Sequence, residues 1–203
     1  MTTPTSLASS LTRPNLAAAL WPAQESAASR AARAVLLAVA GSLFIAVCAQ
    51  IKVPMVPVPM TMQTFGVLLV GMAFGFRLGL ATLILYLAEG MAGLPVFTNP
   101  GASPAYFLGP TGGYLVGFAV AAALAGWLGD KGWDRSVWTA TVAMTLGTAC
   151  IFVFGVAWLS TLIGFEKAVA LGLTPFLIGA AVKILLAALL LPVAWKLVSR
   201  FRG

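Results

Sequence analysis

Apolar residues in this chain run on without alternating. From residue 34 onward, six stretches approach the roughly 20 mostly apolar residues that a membrane helix needs: 34–51, 63–76, 78–89, 108–128, 137–159 and 175–197. The strands of a membrane barrel would instead alternate apolar and polar positions, which these stretches do not. The pattern predicts an all-α integral membrane bundle of six transmembrane helices over residues 30–203. The second and third stretches are short and only Arg77 divides them. They predict either a tight helical hairpin or two spans that lean and do not fully cross. Residues 1–29 are rich in Ser, Ala and Thr and predict a flexible tail. A secretory signal is not expected there, because the apolar stretch starts late and runs too long.

Composition agrees with lipid as the solvent. The 203 residues are 61% hydrophobic and 8% charged, against roughly a quarter charged in an ordinary soluble domain. The net charge of +7 changes the picture only once its distribution is read. Arg13, Arg30, Arg33, Arg77, Lys131, Arg135, Lys196, Arg200 and Arg202 fall on one side of the expected spans. Lys52 and Lys167 fall on the other. Basic residues gather on the cytoplasmic side of membrane proteins, so both termini are expected there. The excess charge needs no nucleic acid to explain it.

Several chemistries have no residues to carry them. The chain has no histidine, no GxxxxGK[ST] phosphate loop and no CxxC pair. Cys48 and Cys150 lie inside apolar runs. Asp130 and Asp134 are the only spaced acidic pair, and they alternate with Lys131 and Arg135 as a solvated loop does. An integral-membrane enzyme acting on lipid or isoprenoid needs a carboxylate cluster or a metal at one face, and this loop is the nearest thing to one. The expectation is therefore a protein that is not an enzyme, with no metal and no cofactor.

Small residues mark close helix contacts inside lipid, where no hydrophobic drive separates helix from solvent. One such stripe is Gly109, Gly113, Gly117, Ala121 and Ala125. Another is Ala34, Ala38, Ser42 and Ala46. Either is internal packing or a face for a partner subunit. The outward connections are KVPMVPVPMT (52–61), with three prolines that favour extended chain, and the Gly-, Pro- and aromatic-rich 90–108. Non-helical backbone of this kind is tolerated near lipid where it lines a cavity. Lys183 lies about nine residues, or roughly 13 Å, into the last stretch, a costly depth for a lysine unless it serves a ligand. An unpaired ammonium there suits a carboxylate. Gln63, Asn99, Tyr106 and Trp158 lie near the same level and offer amide hydrogen bonds and aromatic walls. Together they sketch a pocket for a small, mostly apolar acid with one polar head.

Four strings carry a family resemblance: GLPVF (93–97), LGPTGGYLVGF (108–118), GVAWL (155–159) and PFLIGAAVK (175–183). In this order and spacing, with PMTMQTFGVLL (59–69), they resemble the BioY family of biotin transporters, the substrate-binding (S) components of energy-coupling factor (ECF) transporters. The resemblance implies a six-helix, multi-pass protein of a bacterial cytoplasmic (inner) membrane that captures biotin from outside. It implies as partners a transmembrane T component and ATP-binding subunits, or a solitary or self-associating protein. It implies biotin as the transported ligand at Lys183, Asn99, Tyr106, Trp158 and Gln63. It assigns Ala34, Ala38 and Ser42 to the face that docks the T component. The family pattern P-F-x-x-G-D-x-x-K has Ala180 here where Asp is expected, which leaves Lys183 without an acidic neighbour. An S component for another small vitamin is the alternative within transport.

Overall fold

The structure, a computed structural model, describes residues 15–22, 26–98 and 104–202. It is helical apart from one short ribbon. The helices are α1 (Leu16–Leu20), α2 (Ala27–Gln50), α3 (Gln63–Met91), α4 (Pro104–Leu108), α5 (Gly112–Asp130), α6 (Val137–Ile163), α7 (Phe165–Gly172) and α8 (Leu177–Arg202). A single 3-10 turn, Thr174–Phe176, leads into α8. Among the described residues, five helical stretches are long and apolar enough to cross a membrane. α2 starts earlier than the apolar run, because the Ser26 side chain accepts from the Ser29 amide and caps it.

α3 is two arms. Gly75 sits inside it at φ 79°, ψ 177°, a conformation open almost only to glycine. The chain turns back on itself there. A Cβ on Gly79 would stand 3.0 Å from the Gly71 Cα, and Gln63 is hydrogen-bonded to Tyr86, 23 positions later. In a straight helix those two would lie about 35 Å apart. The structure shows a helical hairpin over 63–89. Its tip is capped from two other elements. The Phe76 amide donates to Asp130 Oδ2 at 2.9 Å, and the Asn15 side chain donates to the Phe74 carbonyl at 3.0 Å.

Close backbone contact holds the bundle together. α5 packs most extensively on α3 and α6, with Ala121, Ala122 and Ala125 fully buried. A Cβ on Gly71 would meet the Ala122 carbonyl at 2.7 Å, and one on Gly117 would meet Ile151 Cα at 2.9 Å. The α5 stripe is thus internal packing. So is much of the α2 stripe: Ala38 and Ser42 are buried, and Ser42 donates to the Glu89 carboxylate. Ala34 is half-buried. The face that the resemblance gives to a docking partner is therefore already turned against the rest of this chain at Ala38 and Ser42. The outward side of α2 carries Val35, Leu36, Leu43 and Val47 instead.

Two further expectations are corrected. Asp134 is not in a solvated loop: it is fully buried and accepts from the Trp195 indole at 2.5 Å. Burial pushes its carboxyl up from the ordinary carboxylate range. Composition read 1–29 as tail, yet within it Leu16, Ala17 and Ala19 are buried on a short helix. Leu16 and Ala19 pack with Val198, Ala73, Ala194 and Trp195, so apolar complementarity orders a stretch that local composition does not.

Candidate ligand cavity

One pole of the bundle is made of irregular backbone. The ribbon pairs Lys52 with Thr61 and Val53 with Met60, so 52–61 folds back as a hairpin and is not the extended segment its prolines suggest. Segment 92–98 crosses beside it. Four hydrogen bonds from side chains of other elements or to them fix that segment. Tyr86 donates to the Val96 carbonyl at 2.9 Å and Gln50 to the Phe97 carbonyl at 3.2 Å. Lys52 donates to the Thr98 carbonyl, and the Thr98 hydroxyl donates to Gln63 Oε1 at 2.9 Å. The Phe97 ring lies over Gly90, where any side chain would collide with it.

Beneath this backbone lies a cavity of about 520 Å³, the open space at its mouth included. Its wall is largely aromatic and aliphatic, with Tyr106, Tyr114, Phe118, Phe152 and Phe176. Its polar groups are the hydroxyls of Thr61, Thr64, Thr98, Thr111, Tyr106 and Tyr114, the Gln63 amide and the Lys183 ammonium; the Tyr114 hydroxyl donates to the Gly172 carbonyl at 2.8 Å.

Lys183 comes from α8, six residues past its start, so the helix begins about 9 Å above it. That is shallower than the unbroken run suggested, because the 3-10 turn at Thr174–Phe176 precedes the helix. Its Nζ donates to the Thr61 carbonyl at 2.9 Å. An ammonium has three donors and no acceptor, so this bond leaves two N–H groups for a ligand. The cavity and the cation together suit a largely apolar molecule with one anionic group.

Sequence-nominated residues fare differently. Lys183, Gln63 and Tyr106 are brought together in the wall. Gln63 is nearly saturated by protein: Oε1 accepts from Thr61 (3.1 Å) and Thr98, and Nε2 donates to Tyr86 at 2.7 Å. It organises the floor more than it offers free hydrogen bonds. Tyr106 stacks on Phe97, rings 5.0 Å apart and 15° from parallel. Trp158 stands outside the lining, its indole N–H donating to the Gly109 carbonyl at 2.9 Å and so clamping α6 to the turn before α5. Asn99 lies outside the described residues. Thr64, Thr98, Phe152 and Phe176 were not singled out from sequence. Threonine and phenylalanine in apolar runs carry no signal of their own; only the fold sets them apart.

Comparison with known proteins places this arrangement. The family model described as BioY family matches residues 19–200. A probable biotin transporter BioY of Pyrococcus horikoshii is 39% identical over 145 residues, 70% of this chain and 85% of the relative. The biotin transporter BioY of Thermotoga maritima is 35% identical over 147 residues, 72% of this chain and 86% of the relative. In fold, the chain is similar to the crystal structure of the S-component for biotin from an ECF-type ABC transporter. The TM-score is 0.74 at 23% identity, over 85% of this chain and 95% of that one. Matched over residues 19–200, with part of the cavity wall drawn from 59–69, 108–118 and 175–183, this chain belongs to the BioY family.

Proposed function

We propose that this protein is the biotin-capturing S component of an ECF-type vitamin uptake transporter, a binding subunit and not an enzyme. The observation that carries the reading is the cavity itself: a largely aromatic-walled space with one ammonium, the half-buried Lys183, in its lining. Biotin is an elongated acid with a compact polar bicycle, and this wall matches it. The carboxylate of its valerate chain meets Lys183, and the bicycle lies toward Tyr106 and Thr98 under segment 92–98. Asn99, next in sequence, is retained as a contact to the ureido group. Gln63 holds the site in shape, and Trp158 supports it from outside.

In this reading the two arms of α3 count as separate crossings, giving six spans. Arg30, Arg33, Arg77, Lys131, Arg135 and Lys196 gather at the pole opposite the cavity, which is the cytoplasmic one, with both termini. The arms of about 18 and 24 Å are shorter than a 30 Å hydrocarbon core, so the hairpin sits in locally thinned bilayer or dips beside longer helices. The membrane is the bacterial inner membrane. A T component and ATP-binding subunits energise delivery, since this sequence contains no phosphate loop. Their docking face is the outward side of α2 near Ala34, because Ala38 and Ser42 face inward. Saturation binding of labelled biotin to the purified chain, challenged with thiamine and riboflavin, tests the assignment. Displacement by unlabelled biotin alone supports it; equal displacement by the other vitamins overturns it.

A further inference from the structure

Thr64 is the second residue of α3, and its position leaves its hydroxyl idle. A helical threonine commonly turns its Oγ1 to the carbonyl three or four residues back. Those residues are Thr61 and Met60, which belong to the ribbon, and the Thr61 carbonyl accepts from Lys183. Thr64 Oγ1 is buried and has no hydrogen-bond partner among the described residues. It borders the main cavity and also a smaller crevice between α3, α6 and α8, lined by Thr148 and Ala180. Lys183 borders both spaces too. A donor with no acceptor therefore stands at the same junction as an ammonium with donors to spare.

The chemistry of that pair is specific. A neutral amide would answer the hydroxyl and leave the cation unpaired. A phosphate would bring up to two charges and three oxygens to one cation. A carboxylate brings one charge and two oxygens. We propose that Thr64 Oγ1 and Lys183 Nζ bind the two oxygens of the ligand's carboxylate, making Thr64 a specificity-determining residue of the site. This rests on the proposed function and locates the acid end of the ligand at the junction of the two spaces.

Thr64→Val keeps the shape and removes the hydroxyl; Thr64→Ser restores it. In equilibrium binding to the full chain in detergent, Thr64→Val weakens biotin by about tenfold or more, as expected for a hydrogen bond to a charged group. Thr64→Ser stays within about threefold of wild type. A biotin analogue ending in methyl in place of the carboxylate binds wild type and Thr64→Val alike. Unchanged biotin affinity in Thr64→Val overturns the inference while leaving the function standing. An equal loss for biotin and the methyl analogue overturns it as well, since that is a packing effect. A wild-type chain that binds no biotin removes both.

Discussion

Gln63 Nε2 donates to the Tyr86 hydroxyl at 2.7 Å, and that hydroxyl donates in turn to the Val96 carbonyl at 2.9 Å. The two residues belong to opposite arms of one helical hairpin, and the bond joins cavity floor to covering segment. Both hydrogen bonds are buried, where a lost partner costs most. Tyr86→Phe strands the Gln63 amide and the Val96 carbonyl together. The expected cost is about 1–3 kcal/mol of stability. Hydrogen exchange at 96–98 should rise and biotin affinity should fall, with the aromatic packing on Phe97 intact. Unaltered exchange in that segment would show that the network does not hold it.

Gly75 is the hinge of the hairpin. Alanine there must adopt a backbone conformation reserved for glycine, at a cost on the order of 1–3 kcal/mol, and its methyl must displace Asp130 and Asn15. Gly75→Ala is expected to lower the unfolding midpoint in detergent well beyond what Gly93→Ala does, since the space around Gly93 is open although its φ is also positive. Equal effects at both sites would mean that tip packing contributes nothing.

Ala38 and Val39 are neighbours on α2, about 100° apart around the helix, one buried and the other 39% exposed. Ala38→Leu overpacks the α2–α3 contact and is expected to destabilise by about 1–3 kcal/mol. Val39→Leu should leave the unfolding midpoint in place. A neutral Ala38→Leu that instead abolished assembly with partner subunits would return that stripe to a docking role.

Asp134 makes stability depend on pH. Burial favours its protonated form, while the Trp195 indole and Arg135 partly offset this. Because the folded chain holds this proton more tightly than the unfolded one, stability is greatest below the ordinary carboxylate range. It declines as pH climbs from there to the raised folded value, and then levels off. Asp134→Asn should flatten that part of the profile and raise stability at neutral pH. A wild-type midpoint that improved with rising pH across the same window would reverse the sign.

The helices were legible because lipid demands long apolar runs, and the runs at 34–51, 137–159 and 175–197 each fall mainly within one helix, with ends that differ by several residues. The hairpin was legible only as one of two options. Choosing between them needs the backbone angles of Gly75 and its cap from Asp130, residues 55 positions apart. Lys183 stood out because a cation in an apolar run is costly and therefore rare. Thr64 did not, since threonine in such a run is ordinary, and its isolation appears only when the helix start and the Lys183–Thr61 bond are both known. Ala38 and Ser42 show the limit of stripes: small residues mark a close contact without saying which partner makes it. Asp134 was misread because alternating charges resemble a solvated loop until Trp195 arrives from α8.

The central claim is that an anionic ligand end is held by Lys183 in this cavity. The direct measurement is the biotin dissociation constant of the chain purified alone in detergent, beside Lys183→Met, each with biotin and with its neutral carboxamide. The account predicts a dissociation constant below about 1 µM for wild type. It predicts a loss of at least about tenfold for biotin in Lys183→Met, and a much smaller loss for the carboxamide. Wild-type affinity for biotin in Lys183→Met, or no binding by wild type at micromolar biotin, would contradict it.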